Sequence, residues 1–261
     1  YKMQVLIGDI GNTITKVCLI DKNKFKVKKI FYFESNKILS NKFLLENFKK
    51  ILLNKNINKN SLFSSVVPKY KVKLKKFLKK KYKVILNEIK EHNIKKIIKI
   101  NIKNKKQIGS DRIANAVGVY KRYKSNCIVV DFGTATTFDV ITKTGIYNGG
   151  IIAPGVSLSI KSLVKSADQI PLFSIKKQKK IIGKNTVEAL RSGFYWGYNG
   201  LINNIIDKIQ KETKKKYKII FTGGFADLFK TSITKTFVID NNITINGIIE
   251  IYKNNKQYLN K

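Results

Sequence analysis

Arginine, histidine, cysteine and proline are all scarce in this chain of 261 residues, and each scarcity removes a class of function. Cys18 and Cys127 are the only cysteines. Each lies inside an apolar run, so the sequence offers no disulfide framework, reads both thiols as small core hydrophobes and points to a reducing compartment. His92, the single histidine, sits beside Glu91 and Lys95 with no cysteine or second histidine at ligand spacing, which argues against a zinc site. Pro68, Pro154 and Pro171 are the only prolines, and no proline-rich or serine-rich linker divides the chain. Arg112, Arg122 and Arg191 are the only arginines, so the formal net charge of +37 is carried by lysine. Lysine supplies point charges, whereas reading base edges favours the arginine fork; runs such as Lys79–Lys81 and Lys214–Lys216 therefore read as solvated faces with no specific nucleic-acid partner. No apolar run approaches the length that spans a bilayer, and no signal peptide is visible, so a soluble, cytoplasmic protein without a membrane partner is expected.

What is present is a folding composition. Hydrophobic residues make up 43% of the chain, enough to bury a core in each of two compact halves despite the charge. Val5–Ile7 is a short apolar strand that breaks into Asp9-Ile10-Gly11-Asn12-Thr13 and resumes at Val17–Ile20, which is a β-hairpin with polar groups at its tip. Ile128–Val130 followed by Asp131-Phe132-Gly133-Thr134 and Phe138–Ile141 repeats the arrangement. The interval between the copies is far longer than a solenoid period, so it predicts duplication of a whole domain. The expected fold is α/β, with one lobe over 1–117 and a second over 118–261, and the closing helix at Ile243–Asn254 is free to pack back on the first lobe. Leu62–Val67, stopped by Pro68, reads as a strand; Lys69–Lys80 and Ile113–Tyr123 read as helices. Thr186–Ile209 reads as a long helix with Thr186 as its cap, and Gly193, Gly197 and Gly200 within it suggest close packing against a neighbour. A strand at Tyr217–Phe221 runs into Thr222-Gly223-Gly224.

Each hairpin tip gathers a carboxylate, a glycine turn and hydroxyls. Glycine lets backbone N–H groups approach phosphate oxygens, threonine adds donors, and the aspartate suits a hard cation. One such turn is common in hairpins without ligands, but two facing copies could grip a polyphosphate in a cleft between lobes, with Gly223 and Gly224 offering backbone to a nucleotide. No Walker A sequence competes. Gly109-Ser110-Asp111-Arg112 opens a predicted helix and places a carboxylate beside a guanidinium, a base for a hydroxyl together with an anion clamp. Taken alone, that tetrapeptide reads more often as an aspartate cap with a surface arginine.

The ordered set Asp9-Ile10-Gly11-Asn12-Thr13, Ser64-Ser65-Val66-Val67-Pro68, Gly109-Ser110-Asp111-Arg112 with Asn115, Val130–Thr137, Gly149–Gly155, Gly183-Lys184-Asn185-Thr186 and Thr222-Gly223-Gly224 resembles the type III pantothenate kinases from end to end. That family lies in the acetate kinase, sugar kinase, Hsp70 and actin superfamily. The resemblance implies two ribonuclease H-like (actin-like ATPase) lobes with mixed sheets flanked by helices and an inter-lobe cleft. It implies a kinase that uses ATP to phosphorylate pantothenate at the entry to coenzyme A biosynthesis. Asp9, Ile10, Gly11, Asn12, Thr13, Ile14, Thr15 and Lys16 would bind ATP phosphates, with Asp9 near Mg2+, and Thr134, Gly223 and Gly224 would add contacts to ATP. Asp111 would be the general base; Gly109, Ser110, Asp111 and Arg112 would line the pantothenate site. Thr186 would touch pantothenate across a homodimer interface, and Asp131 would hold a monovalent cation, K+ or NH4+. The sequence departs from the family at Ser110, where alanine is usual, and at Ile102 and Lys105, where a tyrosine and a proline are often found. Trp196 and Tyr195 read as core or dimer contacts. Two other readings share the fold: a nucleic-acid-binding transcriptional accessory protein, and a kinase for another small acceptor.

Overall fold

In the computed structural model, residues 3–53, 55–230 and 235–255 are described. The chain divides into two compact units: one holds everything up to Arg122, Gly145–Tyr147 and the chain from Asn242 onward, and the other holds Tyr123–Thr144 and Asn148–Asn241.

The first unit opens with strands β1 (Gln4–Ile10), β2 (Ile14–Asp21) and β3 (Val27–Glu34), an antiparallel meander. Helix α1 (Asn41–Leu52), capped where the Ser40 hydroxyl accepts from the Phe43 amide, leads to β4 (Asn60–Ser65), which runs parallel to β1. Helix α2 (Pro68–Tyr82) follows, with Pro68 at its first turn and Lys83 in the left-handed conformation at its end; β5 (Ile85–Glu88) then runs parallel to β4. The sheet order is β3-β2-β1-β4-β5. Alternation along the strands decides what each face meets. Leu6, Ile10, Val17, Leu19 and Phe63 pack with Leu44, Phe48, Leu74 and Leu78 of the two helices into one core. Asp9 belongs to the other set of β1 side chains, in register with Lys16 of β2 and Ser64 of β4.

A two-residue strand β6 (Lys99–Ile100) and helix α3 (Ser110–Tyr123) precede the second sheet. There β7 (Cys127–Phe132) and β8 (Ala135–Ile141) form the second hairpin, followed by β9 (Ile146–Pro154), whose first residues pair with β6. Helix α4 (Val156–Ser166) and helix α5 (Thr186–Thr213) lead to β10 (Lys218–Gly223), which is parallel to β7; the short helix α6 (Ala226–Phe229) and β11 (Phe237–Ile239), parallel to β10, complete the layer. The order is β11-β10-β7-β8-β9-β6. Apart from the added edge strand β6, it repeats the order of the first sheet strand for strand. Ile128, Val130, Phe132, Ile219 and Phe221 pack on Ile160, Tyr195, Ile202 and Phe229. Asp131, one residue out of phase, is left on the opposite face, as Asp9 is in the first unit.

The chain ends its described course as α7 (Ile243–Asn254), which belongs to the first unit and packs on β1 and β4. Small residues let it lie close to α3. A β-carbon on Gly118 would collide with the Ile243 carbonyl, and one on Gly247 with the Ala114 backbone. Where they cross, Thr244 donates to Asn115 at 2.7 Å in a fully enclosed setting. Asn115, quoted with the Gly109–Arg112 motif, is therefore part of the scaffold that fixes α3.

Candidate active site

The first hairpin turns through Gly11, Asn12 and Thr13, with the Gly11 amide donating to the Ile14 carbonyl at 3.2 Å. A side chain on Gly11 would strike that carbonyl, so the turn requires glycine. Asn12 and Thr13 are exposed, and Asp9 and Lys16 face each other across the strands on one side of the sheet. The eight residues of the motif are not equivalent. Ile10 is fully buried in the core, and the enclosed Thr15 hydroxyl pairs with Ser35 at 2.8 Å. Those two shape the tip, whereas Asn12, Thr13 and Lys16 present polar groups from it.

Helix α3 begins at Ser110, so Asp111 and Arg112 occupy its first turn. Asp111 Oδ1 accepts from the Arg112 amide at 2.8 Å, satisfying one of the donors a helix start leaves open. The carboxylate thus serves the helix start, as one of its two sequence readings expected. Burial pushes the Asp111 carboxyl above the ordinary carboxylate range, against the opposing pull of that bond and of the Arg112 charge. Gly109 lies against the same group: a β-carbon there would overlap Asp111 Oδ1. The Arg112 guanidinium carbon stands 6.0 Å from the centre of the Tyr147 ring, which is buried. Ser110 is buried, and its hydroxyl donates to the Glu88 carboxylate. Sequence reasoning missed both Tyr147 and Glu88; neither sits in a motif, and only the fold brings them to α3.

In the second unit, Gly133 and Thr134 form a tighter tip, with the Gly133 amide bonded to the Ala135 carbonyl at 3.1 Å. Thr134 is exposed, and its carbonyl accepts from the Gly155 amide at 3.1 Å. Gly155 has no room for a side chain against the Gly133 and Thr134 carbonyls, which explains why the Gly149–Gly155 segment ends in glycine. Asp131 is in register with Thr222 of β10 and Thr137 of β8. Gly223 follows Thr222 with φ +91°, a conformation that favours glycine, and the Gly224 amide donates to the Phe132 carbonyl at 3.1 Å. The structure thus brings Asp131, Thr134, Gly223 and Gly224 to one end of this sheet, and Asp9–Lys16 to the matching end of the other.

Thr186 lies at the start of α5, on the rim of an open groove of about 930 Å3 lined by α4 and α5. It is not the cap. Asn185, in extended conformation, holds that place and accepts from the Glu188 amide at 2.9 Å, which leaves Thr186 as the first helical residue with its side chain exposed. Gly193 and Gly197 line the groove, and β-carbons on Gly193, Gly197 or Gly200 would meet nothing within 4 Å. The close packing that those glycines suggested does not occur among the described residues. Tyr195 is buried in the core, and Trp196 packs at its edge. Among the described residues no group of three or more His, Cys, Asp or Glu forms a metal cage, and no helix is long and apolar enough to cross a membrane.

Two sheets of one strand order, each with helices on its faces and an aspartate at the tip of its first hairpin, define an actin-like ATPase fold. Solved structures share it: a Campylobacter jejuni protein assigned to the Baf family of transcriptional activators (TM-score 0.61, 21% identity, 97% of this chain and 100% of that one) and the activator of 2-hydroxyisocaproyl-CoA dehydratase from Clostridium difficile with bound ADPNP (TM-score 0.56, 10% identity, 98% and 97%). At those identities the likeness speaks to the fold alone. Sequence narrows the class. Residues 5–208 match the family model described as type III pantothenate kinase. The chain is 48% identical over 250 residues to a type III pantothenate kinase of Pelagibacter ubique, covering 94% of this chain and 97% of that one. It is 38% identical over 198 residues to one of Citrifermentans bemidjiense, covering 76% and 78%. The chain belongs to the type III pantothenate kinase family.

Proposed function

We infer that this chain transfers the γ-phosphoryl group of ATP to pantothenate, giving 4'-phosphopantothenate in the first step of coenzyme A biosynthesis. The observation that carries the reading is the first turn of α3, where a carboxylate with a raised pKa lies beside a guanidinium in a member of this family. Phosphoryl transfer asks for positioning and charge neutralisation more than covalent chemistry. Asp111 accepts the proton of the primary hydroxyl, and its raised pKa brings the base nearer to working pH. Gly109 and Arg112 line the acceptor site, with Arg112 as the clamp for its carboxylate, while the buried Ser110 hydroxyl is turned to Glu88 instead. Asp9, Gly11, Asn12, Thr13 and Lys16 serve the ATP phosphates from the first unit while the buried Ile10 and Thr15 shape the tip, and Thr134, Gly223 and Gly224 are the ATP contacts of the second unit.

The donors at both tips are carboxylate, hydroxyl and amide oxygens, which suit hard cations, and Mg2+ in such sites rests on one or two carboxylates and the substrate phosphates instead of a protein cage. Asp9 would therefore hold Mg2+, and Asp131 the monovalent cation, K+ or NH4+. Bound there, these ions would offset charge on the phosphates. Thr186 completes the acceptor site across a homodimer. The open groove beside it, together with Ile181 and Ile182 at 69% and 71% exposure, is the kind of apolar face that a second copy covers.

The deciding experiment is ADP release coupled to a reporter, run with and without pantothenate, first in NaCl and then in KCl. Pantothenate-dependent release that rises in K+ is expected. Release that does not depend on pantothenate, or that appears only with another acceptor in a substrate panel, would overturn the assignment.

A further inference from the structure

Glu88, the last residue of β5, is a buried ionisable group outside the roles above. It is 5% exposed, and both of its carboxylate oxygens are engaged. Oε1 accepts from the Ser110 hydroxyl and Oε2 from the Lys90 amide at 2.9 Å. Its own amide donates to Glu91 at 3.2 Å, closing a reciprocal box around the turn at Ile89–Glu91. A carboxylate so placed has no freedom of its own. Burial raises its pKa, and the bonds from Ser110 and Lys90 oppose the rise. A buried charge of this kind persists where its partners fix it, and here one partner is the first residue of α3.

We propose that Glu88 is a positioning residue for phosphoryl transfer: it anchors the first turn of α3 through the Ser110 hydroxyl and thereby sets the aim of the Asp111 carboxylate. The proposal rests on the reading of Asp111 as the base. Ser110 is 2% exposed and immediately precedes Asp111, so the helix start cannot shift without moving both. The Asp111 carboxylate lies where a β-carbon on Gly109 would sit, and the Arg112 amide holds its Oδ1. The turn is thus clamped from the β5 side by one hydrogen bond. A negative group close to a helix N-terminus is also favoured by the helix dipole. The Ser110 hydroxyl is the group that makes this bond.

The test compares Ser110→Ala, Glu88→Ala, Glu88→Gln and the double variant Glu88→Ala/Ser110→Ala in the full chain, measuring kcat and KM for pantothenate and ATP, with a melting curve for each. Ser110→Ala and Glu88→Ala are expected to lower kcat by about tenfold, because a small misplacement of a reacting group is costly, while KM for pantothenate changes less than about twofold. The double variant should be no slower than Glu88→Ala, since both changes cut the same link. Glu88→Gln keeps an acceptor oxygen and should recover most of kcat. A purely structural role would lower the melting temperature and leave kcat per folded enzyme intact, which would overturn the proposal. So would a loss confined to KM, the sign that Ser110 touches substrate directly, or losses that multiply in the double variant. Should Glu88→Ala fail to fold, Ser110→Ala, which deletes a single oxygen, decides by the same criteria. Asp111→Asn runs beside them: turnover by that variant sinks the base and the proposal with it. An inactive Asp111→Asn with fully active Ser110→Ala sinks the proposal alone.

Discussion

Gly223 packs directly on Asp131: a β-carbon added to Gly223 would lie 2.7 Å from Asp131 Oδ1 and 2.7 Å from the Phe132 amide nitrogen. Gly223 also has φ +91°, so an L-residue there meets both strain and collision. Gly223→Ala should cost about 1–3 kcal/mol of stability from backbone strain and push the Asp131 carboxylate out of place. If Asp131 holds the monovalent cation, the ratio of rates in KCl and NaCl should fall toward one in this variant. A ratio equal to that of the parent, in protein that still melts cooperatively, would remove Asp131 from the cation site.

The raised pKa of Asp111 carries two opposite consequences. As a base it must be ionised, so kcat/KM should fall on the acid side at a pH above the ordinary carboxylate range, and Asp111→Asn should abolish turnover. For stability the sign reverses. A carboxyl whose folded-state pKa is raised binds its proton more tightly folded than unfolded; its contribution is present below the unfolded pKa and is lost as pH rises through the folded value. Asp111→Asn should therefore raise the melting temperature near pH 8 and give a smaller gain near pH 4. Equal shifts at both pH values would mean that the carboxyl titrates normally.

Much of this was legible in the sequence because its signals are local. Asp9-Ile10-Gly11 and Asp131-Phe132-Gly133 announce a strand that breaks at a turn, and the turn chemistry is set by glycine alone. The helix starting at Ser110 and the one starting at Thr186 follow from apolar spacing. What escaped depends on distant partners. Strand β3 carries exposed lysines among its apolar residues and reads as a strand only because β2 pairs with it. The Glu88 carboxylate has no motif, and its partner Ser110 lies on the far side of the loop that contains β6. Thr186 and Asn185 are both good caps on paper, and backbone conformation alone decided for Asn185. Thr15 looked like one more phosphate donor until its hydroxyl was found on Ser35.

Gly193, Gly197 and Gly200 lower the helix propensity of α5 and find no packing partner among the described residues. Replacing a helical glycine with alanine at an open position should stabilise by about 1 kcal/mol, so Gly200→Ala should raise the melting temperature. Gly197→Glu also keeps the helix but places a charge in the groove beside Phe194 and Leu201. It should fold and yet sediment as a monomer, and it should lose affinity for pantothenate if Thr186 acts from the second copy. A Gly197→Glu protein with the parent's sedimentation coefficient would show that this groove is not the interface.

The first hairpin mixes exposed polar groups with buried ones within one motif, and three substitutions can read the division. Thr15→Val keeps the side-chain volume but leaves the buried Ser35 hydroxyl without its partner, which should cost about 1–3 kcal/mol and lower the melting temperature. Its KM for ATP should move less than that of Thr13→Val, because Thr13 is exposed at the tip and Thr15 is not. Asp9→Asn should behave in the reverse way, folding as the parent does while the Mg2+ concentration for half-maximal rate rises by about tenfold or more, the scale of losing a group that faces a metal. If instead Asp9→Asn shifts only the melting temperature and Thr15→Val shifts only the Mg2+ requirement, the faces of β1 and β2 have been assigned the wrong way round. The alternation that puts Ile10 in the core and Asp9 opposite it makes the first outcome the one to expect.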